Sequence, residues 1–358
     1  MNVKDRMILD DFRKTRADYV ELEGIVADML RKLTSESGIL VMGLEHRVKE
    51  EKSLEGKLYR AGDWYQKLDD LTDLLGARVI LYFSDDVDRV GKLVEQAFDI
   101  DWENSSDKRT MLDASTFGYL SLHYICTLPK DQGYPEKLTH IRFELQIRTI
   151  LQHAWAQINH DLGYKSLFGV PRTITRQFAR LSGLFEMADE EFIRIRDHLR
   201  AYESEIREKI DSDNAGDVTI DMVSIREYMQ RNSKVRAFLQ ELAAIEGSEI
   251  ADVDPESYIE QLKWLNITTI GQLQSMLERD HDLALALAKR TLQGSELDIL
   301  TSNVALRYLC RAELLNGGYT EEQAAEFINL TAENPERAKR QAARLFRQYQ
   351  AICAGEQK

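Results

Sequence analysis

Between Ile141 and Arg148 the chain alternates without a break. Ile141, Phe143, Leu145 and Ile147 fall on one side, and Arg142, Glu144, Gln146 and Arg148 on the other. Period-two alternation marks a half-buried strand, and any solvent-facing strand can show it. The neighbouring residues give it chemical weight. The run leads into His153, Ala154 and Trp155 and then Asn159, His160, Asp161, Leu162, Gly163, Tyr164 and Lys165, in a stretch with helical character. A carboxylate, an amide, two guanidiniums, two imidazoles and a lysine thus converge within about one strand and one helix. That assortment suits a multiply charged anion held together with a metal ion.

Other segments add groups of the same kind, each with an ordinary structural reading beside the chemical one. Asp73 precedes the apolar run 77–83, where an acid could share a magnesium ion with Glu144 or simply cap a turn. Lys49, Ser53 and Lys57 are spaced by four; on a helix they would form one polar stripe able to clamp phosphates. Glu50, Glu51 and Glu55 allow the plainer reading of a solvated helix laced with ion pairs. Tyr119, Ser121 and His123 alternate on one strand face, where an aromatic ring can stack a base or merely cover a half-exposed strand. His153, Gln157, His160 and Tyr164 share one helix face. The two histidines are seven residues apart, too far for an ordinary zinc pair on one helix, so they read as polar lining.

The elements that must position these groups emerge from periodicity. A long amphipathic helix is expected over about 4–33, a strand over 77–83, a helix over 85–98 capped by Ser84, strands over 119–127 and 139–148, and a helix over 150–164. Pro171 opens a helix reaching about Lys209. The polar, small-residue stretch 211–217 reads as the domain boundary, and beyond it residues 222–355 show only helical periodicity. The expected organisation is a domain over 1–211 and a helical domain over 218–358.

The chain has 358 residues, 43% of them hydrophobic, enough for about two domains with real cores. A formal net charge of -14 makes it a poor general binder of nucleic acid, so any such site must be a local basic patch. Its three cysteines are far apart and lack metal-ligand spacing, which points to a reduced, cytoplasmic protein without a zinc module. No apolar run is long enough to span a membrane, and the charged N-terminus lacks the apolar segment of a signal peptide.

Taken in order, the motifs resemble a known family. Arg47-x-Lys49-x-x-x-Ser53-x-x-x-Lys57, Asp73-x-x-Gly76-x-Arg78, Gly118-Tyr119-x-Ser121-x-His123, Glu144-x-Gln146-x-Arg148-Thr149 and His160-x-x-x-Tyr164-Lys165 are similar to the RelA/SpoT alarmone synthetase domain over roughly residues 40–166. The resemblance implies an α+β fold, a nucleotidyltransferase-like mixed sheet flanked by helices, with the all-helical domain after it. It implies transfer of the β,γ-pyrophosphate of ATP to the ribose 3′-hydroxyl of GDP or GTP, giving (p)ppGpp and AMP. It further implies Asp73 and Glu144 as Mg²⁺ carboxylates, with Glu144 also the base for the 3′-hydroxyl. Arg47 and Arg78 would sandwich adenine, and Lys49, Ser53 and Lys57 would hold the ATP phosphates. Tyr119 would stack on the acceptor guanine. Ser121, His123, Gln146, Arg148, His160 and Lys165 would line the acceptor side.

The chain departs from the family pattern in two places. No lysine stands immediately before Gly118-Tyr119, where Lys108 and Arg109 lie upstream, and Asn159 replaces the usual Glu before His160. The second departure leaves the acceptor open. One branch of the family pyrophosphorylates the 3′ end of tRNA and blocks translation. Two arginine stripes, Arg172/Arg176/Arg180 and Arg337/Arg340/Arg344/Arg347, are the features that would serve such a substrate. A non-catalytic nucleotide sensor is the third reading, opposed by the presence of both Asp73 and Glu144. No hydrolase domain is expected ahead of the motifs. The helical domain is expected to regulate, to form homo-oligomers, or to bind a regulatory partner or antitoxin.

Overall fold

The computed structural model describes residues 3–107, 121–163, 172–332 and 334–355, with the backbone alone for 161–163. Tyr119, Tyr164, Lys165, Lys108, Arg109 and Pro171 lie outside the described residues. In chain order the first elements are α1 (Val3–Glu36), β1 (Val41–Val48), α2 (Glu51–Ala61), β2 (Leu75–Leu81), α3 (Asp85–Ala97), β3 (Asp99–Ile100), β4 (Ser106–Asp107), β5 (Leu122–Thr127), α4 (Glu136–Thr139), β6 (Phe143–Thr149), α5 (Ile150–Gly163) and α6 (Arg172–Asp211). The chain continues through α7 (Met222–Arg231), α8 (Ser233–Ala243), β7 (Glu249–Ala251), α9 (Ile259–Trp264), α10 (Ile270–Leu292), β8 (Ile299–Thr301), α11 (Val304–Asn316), α12 (Glu321–Ala332) and α13 (Pro335–Cys353).

Two compact units divide the chain, Met1–Asp197 and His198–Lys358. The sequence puts the boundary at 211–218. The division falls earlier, within α6, because Ile206 and Ile210 are buried in the second unit's core and not in the first's.

In the first unit the strand order is β1-β2-β6-β5-β3, with β4 also pairing β5. Only β2 and β6 are parallel; β1–β2, β6–β5, β5–β3 and β5–β4 are antiparallel, so the sheet is mixed. Alternation sends Ala77, Val79 and Leu81 of β2, Phe143, Leu145 and Ile147 of β6, and Tyr124 and Cys126 of β5 into the core. There they meet Phe12, Leu22, Val26 and Leu30 of α1 and Val87, Val90 and Val94 of α3. Full burial of each such side chain stabilises by about 1.5–3 kcal/mol against leaving it wet. The core occupies one face of the sheet and leaves the other for polar groups.

Three local expectations shift. Ser84 stands at the start of α3, but its side chain makes no capping hydrogen bond. The expected strand 139–148 starts only at Phe143, because residues 136–139 form the one-turn α4 behind Pro135. Lys49 does not share a helix with Ser53 and Lys57. Its amide donates to the Leu74 carbonyl at 2.7 Å, extending the β1–β2 ladder, and α2 begins two residues later.

The second unit is helical, as its periodicity predicts, apart from a three-residue parallel ladder between β7 and β8. Helices α7, α8, α10 and α13 start at side-chain caps: Asp221 on Ser224, Asn232 on Lys234 and Val235, Thr269 on Gln272, and Asn334 on Arg337. Its core gathers Phe238, Leu239, Tyr308 and Phe327 among many aliphatics, with Trp264 packed on Tyr319 and Phe327. No helix among the described residues is long and apolar enough to cross a membrane.

Candidate active site

The polar face of the sheet becomes the floor of a cavity through strand register alone. Glu45 and Arg47 of β1 pair with Arg78 and Gly76 of β2. Gly76 and Arg78 pair in turn with Glu144 and Gln146 of β6, and Gln146 with His123 of β5. Paired residues share a face, so charged and polar side chains from four strands project to one side. Gly76 stands opposite Arg47 and beside Glu144, and an added Cβ there would meet nothing within 4 Å. Its missing side chain leaves the space open. The resulting cavity, about 560 Å³, is lined by residues that include Arg47, Lys49, Asp73, Arg78, Glu144 and His160.

Asp73 sits in the loop entering β2, where two lysines from different elements reach it. Lys49 donates to Oδ2 at 2.7 Å, and Lys57 of α2 lies 2.7 Å from Oδ1. Lys57 also lies over the Tyr65 ring, 5.2 Å from its centroid. Burial pushes the Asp73 carboxyl up, but Lys49 and Lys57 more than offset it and hold the group below the usual carboxylate range.

Glu144 is the inner member of a hydrogen-bonded chain. Ser121 Oγ lies 2.7 Å from His123 Nε2, and His123 Nδ1 lies 3.0 Å from Glu144 Oε1. Gln146 donates to the other carboxylate oxygen at 3.1 Å. Burial again pushes the acid up. The His123 bond and charge pull it down, the Asp73 charge pushes it up, and the net result lies below the ordinary value. Asp73 and Glu144 both line the cavity, so the two carboxylates face the same space.

A second charged group borders the first. Arg78 donates to Glu45 at 3.0 Å, and His153 Nε2 lies 3.8 Å from the same side chain's carboxylate. Arg148 is buried, and desolvation together with the Arg78 charge pushes its guanidinium down to about 10 against the pull of Glu45 and Glu144. Burial and Arg148 likewise lower His153, so its imidazole is neutral near pH 7. A reciprocal box at the start of α5 fixes His153 and His160: the Thr149 amide donates to Gln152 Oε1 at 2.9 Å and the Gln152 amide to Thr149 Oγ1 at 3.1 Å.

Of the residues singled out in the sequence, Arg47, Lys49, Asp73, Arg78, Glu144, Gln146 and His160 line the cavity, and Lys57 touches it through Asp73. Ser121 and His123 reach it through Glu144. Arg148 is buried and outside the lining, and Ser53 is exposed in the first turn of α2, also outside it. Tyr119 and Lys165 fall outside the described residues. Glu45 is a lining residue that sequence reasoning misses. It lies on an edge strand whose exposed, charged pattern hides it, yet Glu45, Arg47 and Lys49 alternate, and that is the available signal. Among the described residues no group of three metal-binding side chains occurs. Asp73 and Glu144 fit a magnesium ion all the same, since that ion takes one or two carboxylates and completes its shell with phosphate and water.

The arginine stripes behave differently from each other. Arg172, Arg176 and Arg180 are exposed on α6. In α13, Arg340 and Arg347 fold back on their own helix, donating to the Glu336 and Ala343 carbonyls at 3.3 and 3.2 Å.

Residues 46–167 match the family described as a region found in RelA / SpoT proteins. GTP pyrophosphokinase YjbM of Bacillus subtilis (strain 168) is 29% identical over 150 residues, 42% of this chain and 69% of that protein. GTP pyrophosphokinase YwaC of the same organism is 28% identical over 159 residues, 43% of this chain and 74% of that protein. Among solved structures, small alarmone synthetase 1 from Bacillus subtilis aligns with 54% of this chain and 99% of its own at 23% identity and a TM-score of 0.45. A GTP pyrophosphokinase family protein from Streptococcus pneumoniae aligns with 56% of this chain and 97% of its own at 28% identity and a TM-score of 0.43. The resemblance read from the ordered motifs is borne out at the level of this region: residues 46–167 match the RelA/SpoT family.

Proposed function

We propose that the protein transfers the β,γ-pyrophosphate of ATP to the ribose 3′-hydroxyl of GDP or GTP. The 3′-oxygen forms a bond to the β-phosphorus, the bond from that phosphorus to the α-phosphate bridging oxygen breaks, and AMP leaves. The observation that carries the reading is the convergence of Lys49, Lys57 and Asp73 with Glu144 in the cavity that Arg47 and Arg78 also line. The names of YjbM and YwaC as GTP pyrophosphokinases support it.

Phosphoryl-type transfer asks a protein for positioning and charge neutralisation. Arg47 and Arg78 are diagonal neighbours on paired strands, with only Gly76 opposite Arg47, so a planar base fits against their guanidiniums. Lys49 and Lys57 supply the cations for the polyphosphate. Asp73 holds both lysine ammoniums in place beforehand. Asp73 and Glu144 would hold a magnesium ion, which offsets charge on the transferring group. Glu144, ionised and oriented by His123 and Gln146, accepts a hydrogen bond from the 3′-hydroxyl and takes its proton as the new bond forms. The acceptor side includes His160 and Gln146.

The exposed Arg172, Arg176 and Arg180, in the same unit as the cavity, favour a second reading in which the acceptor is the 3′ end of tRNA. One experiment separates the two. The protein is incubated with γ-³²P-ATP and Mg²⁺, and GDP, GTP, ATP and bulk tRNA are offered separately. Label on GDP or GTP is the expected outcome. Label on tRNA alone replaces the acceptor, and label on none of them removes the pyrophosphokinase reading.

A further inference from the structure

The helical unit contains a cleft that the proposed reaction does not use. Its volume is about 280 Å³, and its walls come from α9, α11, α12 and α13 with Tyr258 just ahead of α9. Arg307 and Arg311, one turn apart on α11, face Arg337 and Gln341, one turn apart on α13. Gln261 and Thr331 add polar groups, joined to each other at 3.1 Å. Phe327 and Ile328 form an apolar floor.

The charge balance sets this cleft apart. Among the described residues neither Arg307, Arg311, Arg337 nor the nearby Arg344 forms an ion pair, although the unit has many acids and most of its other arginines find them. Arg311 makes a single side-chain bond, to Gln341 Oε1 at 3.2 Å. Burial, together with the charges of Arg307 and Arg344, pushes its guanidinium down to about 10. A half-buried guanidinium set beside exposed like charges, with no counter-ion, costs free energy. An anion in the cleft would recover it.

The α13 stripe resolves accordingly. Arg340 and Arg347 bond carbonyls of their own helix. Only Arg337 of the four lines the cleft.

We propose that this cleft between α11 and α13 binds the phosphoryl group of a small phosphorylated molecule, through Arg307, Arg311 and Arg337 with Gln341 and Gln261. A phosphoryl group carries close to two negative charges and three acceptor oxygens. It matches converging guanidinium forks better than a single carboxylate does. The volume admits a phosphate or diphosphate with a small attached group and excludes a helix or duplex. The proposal is independent of the reaction assigned to the other unit.

Local hydrogen–deuterium exchange on the full chain tests it, with inorganic pyrophosphate, GTP and tRNA as separate probes. Pyrophosphate or GTP, or both, is expected to slow amide exchange in residues 304–316 and 335–345. In the Arg307→Gln/Arg337→Gln double variant, both positions being exposed, that protection needs at least about tenfold more ligand. Protection of residues 46–81 by GTP stays at its wild-type concentration in the same variant, which separates this site from the cavity in the sheet. Three results overturn the proposal: no protection of α11 and α13 below about 10 mM of either small probe, equal protection in the variant, or protection by tRNA alone.

Discussion

Two cationic pockets, one in each unit, differ in what stands opposite the cations. In the sheet cavity Lys49 and Lys57 share Asp73, and Arg78 has Glu45. In the helical cleft Arg307, Arg311 and Arg337 have no acid among the described residues. The first arrangement holds its own charges in position before any substrate arrives, and its two carboxylates line one space where a divalent ion fits. That is preorganisation for chemistry. The second has unspent positive charge and no acid or base to move a proton, and suits binding alone. Counting arginines and lysines would rank the two alike; pairing separates them.

The comparison breaks most sharply at Glu144. Glu144→Gln keeps the shape and both polar atoms but removes the charge, and transfer is expected to fall by at least about 10³-fold while ATP binding, measured by equilibrium dialysis, persists. Wild-type turnover in that variant would make the sheet cavity a binding pocket like the other. Gly76→Val comes next. An added Cβ there meets nothing within 4 Å and Gly76 lines the cavity, and valine suits a strand. Activity is expected to drop about 10²-fold with an unchanged or raised thermal midpoint. A lowered midpoint would mean that the glycine serves the fold.

The third test is pH. Asp73 and Glu144 both lie below their ordinary carboxylate values, about 3.9 and 4.3. Groups with depressed folded-state pKa values stabilise the fold above their unfolded values, and that stabilisation disappears as pH falls through the folded ones. Both are therefore ionised through neutrality. The acid limb of kcat/KM, and the loss of stability these two groups cause, are expected below about pH 4.5. A limb near pH 6.5 would hand the proton-accepting role to an imidazole.

The smallest expected effect lies in the helical cleft. Arg311→Met replaces a half-buried, unpaired guanidinium with an apolar side chain, and is expected to stabilise the helical unit by about 1 kcal/mol in urea unfolding. Destabilisation by that much would show that Arg311 holds the helices together and is not held ready for a ligand.

Much of the sheet cavity is legible in the sequence because strands write their faces directly into it. The alternation through Glu144 and Gln146 and the Gly76-x-Arg78 spacing each name a face, and register then stacks them. The edge strand β1 is not legible in the same way, since its half-buried and exposed positions do not alternate cleanly. Glu45 is hidden with it, and the spacing of Lys49 from Ser53 and Lys57 suggests a shared helix where the fold puts a strand extension. The Ser121–His123–Glu144 chain is visible only as same-face alternation; the bond between strands depends on β5 pairing with β6 in one particular register.

The order of the motifs, the polar and apolar faces of each strand, and a second region with helical periods can all be read from the residues alone. Those are local properties, set by side-chain alternation over a few residues. Which charges are neutralised and which are not emerges only when the chain is folded. Lys49 and Lys57 meet Asp73 although they lie on different elements, and Arg307 meets Arg337 across two helices with no acid between them. Partnership of charges depends on distance in space, and no periodicity along the chain encodes it.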